Sequence, residues 1–226
     1  MPGQREPEEQ RREALLRAAY AVAARDGLAA VTGRAVAAEA GVSSGLVFFH
    51  FRSKDALLAA LLEWLLAHTL VAGELAAALP ATASAAERML AVVRRDLVAL
   101  PRARARVELF FHYWVLGTRD EAIRQTIRAA LARYRASFLP LAEAVIAESP
   151  PGRHAPGAAA GLAAVAASFV EGNALRAVLD PAGFDVAQAM TTLAALLRLP
   201  STPVDAAAHA SSEAPRSGVV MGEGGI

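Results

Sequence analysis

Alanine fills 56 of the 226 positions, about a quarter of the chain. This feature narrows the fold more than any other, because alanine is the best helix former. The aromatic residues that favour strands are few: 8 Phe, 3 Tyr and 2 Trp. An all-α fold is therefore expected before any pattern is read. Hydrophobic residues make up 55% of the chain and charged residues 20%, enough for a sizeable core and against global disorder. Cysteine is absent, which excludes a disulfide framework, a thiolate metal site and a cysteine nucleophile.

Periodicity supplies the helices. Leu15, Ala18, Ala19 and Val22 fall on one face of a first helix predicted from Glu6 to Asp26, stopped by Gly27. Thr32 caps a short helix to Ala40, and Ser43 caps another to about Phe49 or His50. Ser53 caps a long helix to about Leu79. Ser84 and Glu87 form a capping box that opens a helix to Leu100, and Pro101 is placed at the first position of the next, which ends near Gly117. A long helix is expected from Arg119 to Glu148, with a possible kink at Pro140. The last two helices run from Ala158 to Leu179 and, capped by Asp185, to Leu199. Residues 200–226 are expected to be a disordered tail.

The informative segment runs from Thr32 to Phe51. Two short helices joined by Gly41-Val42 have to cross closely; Ala37 is small enough for the crossing, and Gly41 takes positive φ without steric cost. Val36, Val42, Val47 and Phe51 fill the space beneath. Ser44, Gly45, Phe48 and Phe49 then face outward, where small and aromatic side chains can approach base edges and sugars in a major groove. The plain alternative is an ordinary helical corner in a bundle.

Residues from Arg11 to about Leu62 resemble the DNA-binding region of the tetracycline-repressor (TetR) family of bacterial transcription regulators. The resemblance is carried by Arg12 and the Leu15–Val22 helix, Gly27, Thr32, Arg34-Ala-Val-Ala with Ala40-Gly41-Val42-Ser43, the Gly45–Phe51 string and Ser53-Lys54-Asp55. More loosely, Glu171–Arg176 followed by Asp180-Pro is similar to the dimer-forming end of many members. The resemblance implies a three-helix DNA-binding head with a helix-turn-helix (1–52), then a linking fourth helix and an effector-binding and dimerisation core (53–199). It implies a homodimer on a double-stranded DNA operator with an inverted repeat, acting as a repressor and released by a small-molecule effector.

Site roles follow the same resemblance. Thr32 and Arg34 match positions near the DNA backbone. Ser43, Ser44, Gly45, Leu46 and Phe49 belong to the recognition helix. Phe48 stands where the family usually has a tyrosine whose hydroxyl meets a phosphate, and His50 matches a backbone-contacting position. Lys54, the single lysine, matches a phosphate-reaching lysine. A lysine at a helix N-terminus opposes the macrodipole, so an external anion is the better account of it than coincidence. No Arg, Asn, Gln, Asp or Glu lies between Ser43 and Phe49, so bidentate base reading is scarce and DNA shape carries much of the preference.

The expected effector pocket lies among the helices from Trp64 to Arg176. Its candidate lining is Trp64, His68, Phe110, Tyr113, Trp114, Tyr134, Phe138, Phe169 and Asn173, each of which could equally be plain core. This mix suits an apolar or aromatic ligand held by a few polar groups. Residues 87–135 carry net charge +6, for which a solvated face, ion pairs to Glu6, Glu8, Glu9 and Glu13, or an anionic effector are the three readings. No histidine pair has metal spacing on one helix and no glycine-rich phosphate loop follows a strand, so neither an enzyme, a metal site nor a cofactor is expected. The longest clean apolar stretch, Ala158 to Val170, is shorter than the roughly 20 residues that span a bilayer. A cytoplasmic protein without membrane contact is expected. The rival class is a helical small-molecule-binding or interaction module without specific DNA binding.

Overall fold

The structure, a computed structural model, describes residues 8–69 and 82–198. Among the described residues there are nine α-helices, one 3-10 turn and no strand. The expected end of the fourth helix, 70–79, and the tail from 200 lie outside the described residues.

The head is built from α1 (Glu8–Asp26), α2 (Gly33–Ala40) and α3 (Ser44–Phe51). Gly27, at φ 84°, ends α1, and the 3-10 turn Leu28–Ala30 leads to Thr32. The Thr32 hydroxyl oxygen accepts from the Ala35 amide at 3.1 Å and starts α2. Gly41 ends α2 in the left-handed region at φ 66°, the conformation its position was expected to need. Ser43 caps α3 through the Leu46 amide, and Ser53 caps α4 (Lys54–Thr69) through the Ala56 amide.

The core comprises α5 (Ala85–Ala99), α6 (Arg104–Gly117), α7 (Glu121–Ala147), α8 (Ala158–Leu179) and α9 (Val186–Arg198). The capping box that opens α5 is formed, and its hydrogen bonds from Ser84 hold the Glu87 carboxyl below the usual range. The expected start of α6 at Pro101 is corrected to Arg104. The Ala103 amide still bonds back to Ala99 and Leu100, so Pro101 sits in a turn that tightens the end of α5. α7 passes through Pro140 and is 27 residues long, about 40 Å.

Apolar packing forms two cores. The first joins Leu15, Val22, Val36, Val47 and Phe51 of the head to Leu61 and Leu65 of α4, Leu109 and Tyr113 of α6, and Ile127 and Ala130 of α7. The Tyr113 hydroxyl donates to the Leu58 carbonyl at 2.8 Å and ties α6 to α4. The second joins Met89, Val93 and Leu97 of α5 to Tyr134, Phe138 and Ala142 of α7, Ala163, Ala166 and Ala167 of α8 and Leu193 of α9. The N-terminal half of α7 belongs to the first core and its middle to the second.

α8 is 22 residues long, with a mean hydropathy of 1.4 in its most apolar window, and is the one described helix long and apolar enough to cross a membrane. The uncharged stretch of α8 ends at Val170, and the helix continues past Glu171 and Arg176. Its alanine face is buried along α7, where small side chains let the two helices approach.

Candidate DNA-binding face and effector cavity

Helical spacing turns α3 into a two-sided device. Val47 and Phe51, four apart, are buried in the head, and the Arg12 guanidinium lies 5.3 Å from the centre of the Phe51 ring. The opposite side presents Ser44, Gly45, Phe48 and Phe49 to solvent, with Phe48 and Phe49 exposed at 65% and 63%. Leaving two phenylalanines in water costs apolar free energy that a monomeric domain has no reason to bear.

A groove beside this face is lined by Thr32, Arg34, Ser44, Gly45, Phe48 and Lys54. Ser43, Leu46, Phe49 and His50 are not part of that lining. Ser43 serves the cap, Leu46 and His50 are half-buried, and Phe49 packs edge-on against His50 at 5.4 Å. The Thr32 and Ser43 caps use oxygen lone pairs, so each hydroxyl proton can still be donated outward. Lys54 Nζ donates to the Ala29 carbonyl at 3.0 Å, a local acceptor that spacing did not reveal. Two of its three donors remain. Arg52, which the sequence reading passed over, also lines the groove; it is exposed and has φ 60° at the end of α3. Nothing in the local spacing marks that residue.

A cavity of about 680 Å³ lies at the seam between the two cores, within the size range of small-molecule sites. Of the nine expected liners it gathers four: His68, Phe110, Trp114 and Tyr134. The other five have different neighbours. Trp64 faces α1, and Tyr113 and Phe138 are fully buried in the first and second cores. Phe169 packs against the second core, and Asn173 donates to the Phe169 carbonyl one turn back. The aromatic run on α6 divides as a helix must: Phe110, Phe111 and Trp114 face the cavity, His112 is exposed and Tyr113 points to α4.

The sequence reading missed the cavity's charged wall. Arg95 and Asp96 pair at 2.7 Å, and the Tyr134 hydroxyl donates to Asp96 at 2.8 Å. Burial first, then the Asp96 charge, pushes the Tyr134 phenol up. Burial also pushes the Glu171 carboxyl up, opposed by Arg135. Arg106 lines the cavity and donates to the His68 carbonyl at 3.2 Å. Among the described residues Arg102, Arg104 and Arg106 form no ion pair with the first helix. Glu13 is instead held by Arg17 and by Trp64.

That Glu13 contact links cavity to head. Trp64 Nε1 donates to both Glu13 carboxylate oxygens at 2.9 Å. His68 stacks on Trp64 with ring centres 4.3 Å apart. Its Nδ1 donates to the Trp64 carbonyl at 2.7 Å, and its Nε2 lies 4.0 Å from Glu13. A side chain of the cavity wall therefore touches the network that seats α1.

A solvent-facing helix-turn-helix on one core and a ligand-sized cavity against it define a DNA-binding transcription regulator. Residues 15–61 match the bacterial regulatory proteins of the tetR family, and residues 85–199 match the BetI-type transcriptional repressor C-terminal family. The chain is 33% identical over 150 residues to the HTH-type transcriptional regulator BetI of Rhizobium meliloti (strain 1021), covering 66% of this chain and 73% of that protein. A solved chain described as a transcriptional regulator of Pseudomonas aeruginosa PAO1 superposes with TM-score 0.69 at 26% identity, over 85% of this chain and 90% of that one. A regulator of Saccharomonospora viridis in complex with choline superposes with TM-score 0.63 at 20% identity, over 84% and 96%. The chain belongs to the TetR family of transcriptional regulators, and its C-terminal half is of the BetI type.

Proposed function

We propose that the chain is a ligand-responsive repressor that binds an inverted-repeat operator as a homodimer. The division of labour is residues 1–52 for DNA and 53–199 for effector and dimerisation. The observation that carries this reading is the pairing of an exposed, aromatic recognition face with a cavity whose wall reaches α1 through His68, Trp64 and Glu13. One recognition helix per chain reads half an operator, so two heads about 34–36 Å apart would engage successive major grooves. Thr32, Arg34, Arg52 and Lys54 are assigned to phosphates, Phe48 to the DNA backbone beside them, and Ser44, Gly45 and Phe49 to the groove itself.

The effector is a small molecule with an apolar or aromatic body, matched to Phe110, Phe111 and Trp114. Glu171 favours a cationic group on it. Burial opposes its charge, and a bound cation would restore that charge while the rings attract it through their faces. Choline in the Saccharomonospora viridis neighbour supports this charge preference. The effector acts by binding one arrangement of the heads more tightly than the other.

A gel shift with the DNA flanking the chain's own gene tests this function. A retarded band with a repeat-containing fragment, lost on mutating either half, is expected. Equal binding to random DNA would reject specific recognition.

A further inference from the structure

We propose that the cavity takes a zwitterion, a small molecule whose cationic end meets Glu171 and whose opposite end is a carboxylate held by Arg106. This deepens the effector reading above and rests on it. The charges of the cavity wall sort by partner. Arg95 and Asp96 hold each other, with Nη2 and Nε of Arg95 at 2.7 and 2.9 Å from one carboxylate oxygen. The other oxygen of Asp96 accepts from the Tyr134 hydroxyl at 2.8 Å. His68 turns its two ring nitrogens to the Trp64 carbonyl and to Glu13. Two charged liners are left, Arg106 on α6 and Glu171 on α8. Among the described residues neither has an ion-pair partner.

Arg106 is set up to take an anion. It is half-buried, and its Nη1 donates to the His68 carbonyl at 3.2 Å, which fixes the guanidinium against the last turn of α4. Among the described residues no bond uses its Nε or Nη2. That edge is the one a carboxylate engages with two parallel hydrogen bonds. Residues 87–135 carry net charge +6, and of Arg102, Arg104 and Arg106 it is Arg106 that reaches the cavity.

Helical spacing lays out the rest of the ligand. Arg106, Phe110 and Trp114 recur every four residues and all line the cavity, so α6 offers a cation followed by two rings along one stripe. Each step of four rises about 6 Å. An apolar chain between the two charges of the ligand lies along this stripe.

Charge balance then selects the ligand class. Burial opposes the charge of Glu171, and Arg135, outside the cavity lining, offsets only part of that. A ligand with a cation alone satisfies Glu171 but displaces water from Arg106 without replacing it. A ligand with an anion alone does the reverse to Glu171. Desolvating a charge without a partner is costly, so a molecule bearing both charges fits the wall better than either.

The test is calorimetry on the full chain with two ligand series of increasing chain length. One is the ω-trimethylammonio alcohols, of which choline is the shortest; the other is the matching ω-trimethylammonio carboxylates. At the best length the carboxylate should bind roughly tenfold more tightly than its alcohol. Arg106→Gln should abolish that preference while the alcohols bind as well as before or better, because a like charge has left the cavity. Glu171→Gln should weaken both series alike, since both carry the cation. Carboxylates that bind no better than alcohols at any length overturn the anionic end and leave the cationic reading standing. A preference that survives Arg106→Gln overturns Arg106 as its holder, and a Glu171→Gln loss confined to one series overturns the two-ended arrangement. If neither series binds the parent, the proposal falls together with the effector reading. Circular dichroism reports folding of the variants. If Arg106→Gln fails to fold, Arg106→Met, which keeps an apolar stem, replaces it with the same readings.

Discussion

The DNA-binding face and the effector cavity are built in opposite ways. The face is local: its groove draws on α2, α3 and the start of α4, within 26 consecutive residues. Two caps, one left-handed glycine and a period-four buried pair orient it. The cavity is assembled from five helices, and its liners run from His68 to Leu175. Local rules fix the first almost completely. The second depends on how distant helices are rotated against one another, so single substitutions should separate the two.

The largest effect is expected where the two regions meet. Tyr113→Ala empties a fully buried site in the first core and frees α6 from the Leu58 carbonyl, for a loss of about 3–5 kcal/mol. A urea titration gives the value; a change below about 1 kcal/mol would show that head and core do not share this packing.

On the DNA side, Lys54→Ala should weaken binding to operator and random DNA alike. The slope of log affinity against log salt should fall by roughly 0.9 per lost phosphate contact. The Ala29 contact offers the competing role, and an unchanged slope would confine Lys54 to bracing the 3-10 turn.

Phe48→Tyr sharpens the same side with a smaller gain, about 1 kcal/mol per subunit on both DNAs, by offering a hydroxyl to a phosphate. The ring is exposed at 65%, so a loss of head stability is not expected. Weaker binding on the operator alone would place the ring against a base instead.

The cavity side has its own signature in pH. A carboxyl raised by burial opposes folding once charged, so the uncharged form is favoured as pH falls and that advantage is lost as pH rises through the folded pKa. Glu171→Gln should therefore stabilise the empty protein slightly at neutral pH and flatten this part of its pH dependence. On the proposed effector reading it should also weaken binding of a small cationic probe, for which choline serves. Melting curves and calorimetry check both, and unaltered choline affinity would remove Glu171 from the site.

What the sequence disclosed follows the same division. Ser43, Thr32, Ser84 and Asp185 cap helices because a side-chain oxygen needs an amide three residues on, a relation visible in one dimension. Pro101 misled because a turn held by bonds back to α5 satisfies proline as well as a helix start does. In the cavity, aromatic content pointed to α6 correctly but could not separate Phe111 from Tyr113, which face different helices. Arg95, Asp96 and Glu171 were invisible as a group because their proximity comes from packing α5 against α8.

The central claim is that occupancy of the cavity changes how the head binds DNA. The direct measurement is operator affinity by fluorescence anisotropy, with choline as the probe and calorimetry reporting its binding to the same protein. The account predicts that operator affinity falls as choline saturates the cavity, and that Trp64→Phe, which removes the donor to Glu13, diminishes the fall while choline still binds. Saturating choline with operator affinity unchanged in the parent protein would contradict it.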